Sequence, residues 1–170
     1  GKTIISIEDE LKHVENYMNI QKVRYKNKFT VEYEIDESIL QYCTVKLIIQ
    51  PILENAIYYG AEHMDGDGEI KIHGYKKEDD IYIEVIDNGL GMTRDVVENL
   101  LKENNRVRKH GSGVGLINVH NRLKLRFGEN YGLEIESEPD EGTTVRIHLP
   151  AIPYSIEKIE ELESSKGILG

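Results

Sequence analysis

Three clusters in this chain have residue types and spacing that could do chemistry. Glu54-Asn55-Ala56 puts a carboxylate beside a carboxamide, and a carboxamide oxygen suits Mg²⁺, which prefers oxygen donors and keeps several waters. Taken alone, Asn55 reads more simply as a buried amide bonded to backbone. Asp87-Asn88-Gly89-Leu90-Gly91 places a carboxylate at the end of an alternating apolar stretch. There it could accept a hydrogen bond from an exocyclic amine such as adenine's, or merely cap the N–H groups of a turn. Gly111-Ser112-Gly113-Val114-Gly115-Leu116 alternates three glycines ahead of a helix-like run. Such glycines let backbone N–H groups approach a phosphate, and a helix N-terminus adds partial positive charge. By itself the pattern equally describes a glycine hinge. It is not a dinucleotide fingerprint, and the chain contains no GxxxxGK[ST].

The elements that must position these clusters follow from periodicity. Residues 6–25 read as a helix with Ser6 as N-cap and Asp9 as an imperfect capping-box partner. Its apolar positions are Ile7, Leu11, Val14, Met18 and Tyr25. Their alternating spacing suits either a partner helix or the chain's own sheet. Phe29, Val31, Tyr33 and Ile35 alternate as a half-buried strand. A helix is expected from about Val45 to Tyr59, with Pro51 marking a kink or a restart and Gly60 its end. Ile70–Tyr75 and Ile81–Ile86 read as a hairpin. Residues 93–103 form a short helix capped by Thr93, and residues 104–112, polar and aperiodic, read as a mobile loop. A helix then reaches about Phe127, where Gly128 stops it. Leu133–Ser137 and Thr143–Leu149 are strands joined by a turn. Residues 155–166 are an acidic helix or a frayed tail. Two hairpins separated by helices imply an α+β two-layer sandwich, with a mixed, mostly antiparallel sheet and helices on one face.

The 170 residues are 39% hydrophobic and 31% charged, as expected of one globular domain that can bury a core. A net charge of -10 argues against non-specific binding of nucleic acid or anionic lipid. The single cysteine, Cys43, excludes internal disulfides and reads as a small buried hydrophobe. The chain starts at Gly1-Lys2 and has no long apolar stretch, so it reads as a fragment whose parent could still carry membrane segments.

Order and spacing change how the clusters read. Asn55, Asp87-x-Gly89-x-Gly91, Gly111-x-Gly113-x-Gly115 and Gly142-Thr143-Thr144 resemble, in sequence, the N, G1, G2 and GT motifs of the GHKL (Bergerat-fold) ATP-binding superfamily. Glu10-Leu11, Tyr17, Ile20-Gln21-Lys22-Val23-Arg24-Tyr25 and Gln50-Pro51-Ile52-Leu53-Glu54-Asn55-Ala56-Ile57 further resemble the LytS/YehU-type sensor histidine kinases. The resemblance implies ATP and Mg²⁺, with Asn55 as metal ligand and Asp87 on the adenine amine. Gly89, Gly91, Met92, Tyr59 and Thr144 would shape the adenine pocket. Gly111, Gly113, Val114, Gly115 and Leu116 would lie along the phosphates, and residues 93–112 would be a lid. Glu54 and Asn55 are the catalytic candidates. It further implies that residues 1–26 end a dimerisation region, 27–153 bind ATP and 154–170 form a tail. The full-length protein would be a homodimeric, membrane-anchored bacterial sensor. This part would lie in the cytoplasm, with a response regulator as partner and no nucleic acid.

The sequence departs from the family in two places. Tyr58 and Tyr59 stand where the family usually carries Lys and His, so the phosphates would lean on Arg106, Arg108, Lys109 or His110. None of the six histidines has the Pro-His-Phe context of the phosphoacceptor, and His13 reads as a surface residue. The fold's hydrolytic members and its serine kinases place a glutamate one turn before the asparagine. Here that position is Pro51, which cannot be a base. Glu54 points about 100° around the helix from Asn55. Transfer to a histidine is therefore expected over hydrolysis, with a nucleotide-binding module that has lost ATP as the non-enzymatic rival.

Overall fold

The computed structural model describes residues 3–59, 66–102 and 114–165. Five strands form the main sheet: β2 (Phe29–Ile35), β4 (Gly68–Lys77), β5 (Asp80–Asp87), β6 (Gly132–Glu138) and β7 (Gly142–Pro150). Their spatial order is β2-β4-β5-β7-β6. Only β2–β4 is parallel, and the β4–β5 and β6–β7 hairpins supply the antiparallel pairs. The expected mixed two-layer sandwich is therefore the fold.

Alternation divides the sheet's two faces. Ile70, Ile72, Ile81, Ile83, Val85, Val145, Ile147 and Leu149 are buried. They share one core with helices α1 (Ile7–Arg24), α2 (Ile49–Tyr59) and α4 (Val114–Phe127). The other face carries a charged cluster in which Arg146 pairs with Glu84 at 2.7 Å and Glu136 at 3.3 Å. Beside it runs an aromatic row, Tyr75–Tyr82–His148–Tyr131.

The two readings of the first helix are now separated. Ile7, Leu11, Val14 and Met18 are buried in the chain's own core, so the seam is not free for a partner helix. Ser6 caps the helix by accepting the Asp9 N–H at 3.1 Å.

The second helix starts later than its sequence suggests. Cys43–Val45 form β3, which pairs antiparallel with β1 (Ile4–Ser6). Three-residue strands are too short to show a period, so neither was visible in the sequence. Leu47 then adopts φ 60°, and α2 begins at Ile49. Pro51 lies in its first turn, where a missing N–H breaks no helical bond, so no kink or restart is needed. The turn is capped from a distance. Glu10 of α1 is buried, and its carboxylate accepts the N–H groups of Leu47 (2.8 Å), Ile48 (2.9 Å) and Ile49 (3.2 Å). Glu10→Ala would strand these donors, so a loss of about 3 kcal/mol is expected. That is a fall of roughly 6–12 °C in the thermal unfolding midpoint. Glu10→Gln, which keeps an acceptor, should recover part of the loss.

The last described helix is part of the same body. Residues Ile156–Ser165 form α5, whose Ile159 and Leu162 join the core. Glu163 accepts the N–H groups of Thr3 (2.9 Å) and Ile4 (2.7 Å), so α5 and β1 are tied together. Cys43 is buried, and burial pushes its thiol up to about 11, as a small hydrophobe's would be. Among the described residues no helix is long and apolar enough to cross a membrane.

Candidate functional site

The predicted residues fall into two neighbouring groups on the helix-facing side of the sheet. The first surrounds Asp87. Ile81, Ile83, Val85 and Asp87 are the core-facing positions of β5, so the strand's own alternation drives a carboxylate into the apolar layer. Its Oδ1 accepts the Gly89 N–H at 2.9 Å, and the Thr143 backbone also donates to it. Burial outweighs both bonds and raises the carboxyl to about 6. No Lys, Arg or His among the described residues pairs with it. A buried carboxylate held only by backbone donors retains acceptor capacity for a ligand's N–H.

The loop after Asp87 is clamped to the β6–β7 hairpin. Met92 donates its N–H to Ser137 Oγ at 2.8 Å, and Asp140 donates its N–H to Leu90 O at 2.6 Å. Gly91 has φ 70°, and a Cβ there would sit 1.9 Å from Glu138 O. Asn88 reaches the other way, accepting the Glu69 N–H at 2.7 Å, so it anchors the loop to β4.

One expected residue faces the wrong way. Thr144 pairs across the sheet with Ile86, on the open face with Arg146. Thr143 is the cross-strand partner of Asp87, is buried, and shares the helix-facing side. Both threonines border the small pocket beside Asp87, but Thr143 is the one on its face of the sheet. The period of two along Thr143, Val145, Ile147 and Leu149 carried that signal.

The second group lines a cleft of about 630 Å³ between α1, α2 and the start of α4. Glu54, Asn55, Tyr59, Gly115 and Leu116 meet there. Glu54 is exposed and accepts Gln50 Nε2–H at 3.1 Å, while Asn55 is half-buried beside it. His13 reaches Gln50 Oε1 at 3.0 Å, so this histidine supports the Glu54 side of the cleft from α1. Gly115 lets the first turn of α4 approach α2, since a Cβ would sit 3.3 Å from Pro51 Cβ. Leu116 is buried, and Val114 is exposed at the helix start. Gly111 and Gly113 lie outside the described residues. So do Arg106, Arg108, Lys109 and His110, within the 103–112 half of the expected lid; the other half, which includes α3 (Arg94–Leu100), is described.

Sequence reasoning missed Tyr17, Gln21 and Arg24, which line the same cleft from α1. Their spacing of four and three was available as a signal, but not which element they would face.

Residues 44–153 match the family model described as histidine kinase-, DNA gyrase B-, and HSP90-like ATPase. The chain is 36% identical to the sensor histidine kinase YesM of Bacillus subtilis, across 88% of this chain and 24% of that protein. It is 32% identical to the sensor protein LytS of Bacillus anthracis, across 86% of this chain and 25% of that protein. It thus spans about a quarter of the length of these relatives. The catalytic domain of histidine kinase ThkA superposes with a TM-score of 0.68 at 16% identity, covering 90% of this chain and 97% of that one. ThkA in complex with the response regulator TrrA gives 0.63 at 14% identity, covering 89% and 42%. At these identities the superpositions establish the shared fold.

Proposed function

The chain belongs to the family of histidine kinase-, DNA gyrase B- and HSP90-like ATPases, and from that premise we propose that it is the ATP-binding catalytic unit of a LytS-type sensor histidine kinase. In this reading it transfers the γ-phosphoryl group of ATP to a histidine outside residues 1–170. The observation that carries it is Asp87, a carboxylate at the end of a central strand that is buried without a cation partner among the described residues. Its two backbone hydrogen bonds leave acceptor capacity unused, and an adenine amine fits it.

The remaining residues take roles consistent with their positions. Asp87 and Thr143 hold the adenine, with Gly89, Gly91 and Met92 fixing the loop that borders it. Asn55 offers one carboxamide oxygen to Mg²⁺, which fits a metal that completes its shell with waters and phosphates. When bound, Mg²⁺ would neutralise phosphate charge. The start of α4 directs backbone N–H groups at the phosphates. Glu54 is exposed, so a protein histidine could reach it and be oriented by it. Pro51 leaves no carboxylate one turn before Asn55, which supports transfer over hydrolysis. Catalysis would then rest on positioning and charge. The phosphoryl group would pass on to a response regulator, as the ThkA–TrrA complex suggests by analogy. The longer protein would be a membrane-anchored homodimer, with this unit on the cytoplasmic side.

The test is chemical. The chain is incubated with γ-labelled ATP, Mg²⁺ and a separately produced phosphoacceptor helical region from YesM. Acid-labile, alkali-stable label on that region is the expected result. Acid-stable label would instead indicate a serine kinase. Release of free phosphate without protein label would indicate an ATPase. Either would overturn the reading.

A further inference from the structure

The cleft has a third wall, on α1, to which the sequence reading gave no role in the site. Tyr17, Gln21 and Arg24 sit on one flank of α1 and line it opposite Glu54, Asn55 and Gly115. Among the described residues that line this cleft, Arg24 is the one cation and Glu54 the one anion. The three α1 and α2 groups are electrostatically close. Burial chiefly raises the Tyr17 hydroxyl to about 12, with the Glu54 charge adding to the rise and the Arg24 charge opposing it.

Arg24 is exposed, and no carboxylate among the described residues pairs with it. Its guanidinium carbon lies 5.9 Å from the centroid of the Tyr25 ring. A cation–π contact does not consume the N–H donors of a guanidinium. Tyr25 is itself held against buried Phe29, with ring centroids 6.2 Å apart.

Charge explains why a cation matters here. The chain carries a net charge of -10, and Glu54 adds a local carboxylate, so a polyphosphate entering the cleft meets repulsion. Tyr58 and Tyr59, at the end of α2, offer no compensation. A guanidinium is permanently charged and matches phosphate oxygens with paired donors. Asp87, Gly89 and Thr143 are not among the residues lining the cleft. Arg24 shares the cleft instead with Asn55 and Gly115, the residues proposed above for Mg²⁺ and the phosphates.

We propose that Arg24 binds the terminal phosphate of the nucleotide, making α1 the wall that selects triphosphate over diphosphate. The inference rests on the nucleotide reading above, and the test separates the two. A non-hydrolysable ATP analogue and ADP, both with Mg²⁺, are titrated calorimetrically into the wild type, Arg24→Ala, Arg24→Lys and Asp87→Asn. Arg24→Ala should weaken analogue binding about 10- to 100-fold while leaving ADP binding within about twofold. Arg24→Lys should fall between. Asp87→Asn should weaken both ligands alike. Because Arg24 is exposed, its variants should unfold at the wild-type midpoint. Equal weakening of both ligands by Arg24→Ala, or weakening of neither, overturns the Arg24 assignment and leaves the nucleotide site standing. A wild type that binds neither ligand overturns the nucleotide site itself.

Discussion

Asp87→Asn is expected to bind adenine nucleotides about 100-fold more weakly than the wild type and yet to be the more stable protein when empty. The binding loss follows from removing a charged acceptor, which costs about 1.5–3 kcal/mol, and from presenting an amide donor to a ligand donor. The stability gain follows from linkage. Burial raises this carboxyl from 3.8 to about 6, so the folded state holds the proton more tightly than the unfolded chain. Folding therefore loses stability as pH rises from about 4 to about 6, and the loss is complete above that window. A shift of about two units amounts to about 3 kcal/mol. Asparagine escapes this penalty but keeps only part of the bonding to Gly89 and Thr143, so a net gain of about 1–2 kcal/mol is expected, or several degrees in midpoint.

Two pH series check both halves. The stability difference between variant and wild type should fall by about 2 kcal/mol between pH 7 and pH 4, from a gain at pH 7 to no gain or a small loss at pH 4. Wild-type affinity for the ATP analogue should rise about tenfold per pH unit up to about 6 and then level, because the ionised carboxylate is the acceptor. A variant that keeps wild-type affinity at pH 7 would remove Asp87 from the site.

The largest stability losses are expected at Gly91 and Gly142. A Cβ at Gly91 would sit 1.9 Å from Glu138 O, and one at Gly142 would sit 2.0 Å from Asp87 O. Both glycines have positive φ, 70° and 123°, and both obstacles are backbone atoms that cannot rotate away. The two clashes lie on opposite sides of one contact, where the loop after Asp87 meets the β6–β7 hairpin. Gly91→Ala or Gly142→Ala must therefore pry the loop from the hairpin. That should disrupt the Met92–Ser137 bond and release the Asp87 carboxylate. A loss above about 4 kcal/mol is expected, with a midpoint lower by more than about 10 °C and no measurable nucleotide binding. Gly128→Ala is the control. It has φ 112° but nothing within 4 Å of the added Cβ, so only the backbone penalty of about 1 kcal/mol applies. Equal losses at all three positions would show that the close approach is unimportant.

What the sequence determined by itself was whatever a single element encodes within its own length. Alternation in 70–75, 81–86 and 143–149 marked which strand residues are buried, because a strand turns its side chains with a period of two whatever its neighbours. The four-three spacing of Ile7, Leu11, Val14 and Met18 marked one buried helix face in the same way. The order of Asn55, Asp87, Gly91 and Gly142 marked a candidate site through its resemblance to the GHKL motifs, which are local stretches of sequence.

Tertiary structure decided what depends on pairs distant in the chain. Whether the first helix's seam met a partner or its own sheet could not be read from the seam, because both are apolar. Thr143 rather than Thr144 faces Asp87 because the β5–β7 register opposes those two residues. The start of α2 is set by Glu10, 37 to 39 positions earlier, and by a three-residue pairing of β1 with β3. Arg24 is a surface cation in sequence and becomes a candidate phosphate ligand only because α1 lies along α2. In each case the deciding free energy is a contact between distant segments. It exists only after the chain has folded, so no local period carries its trace.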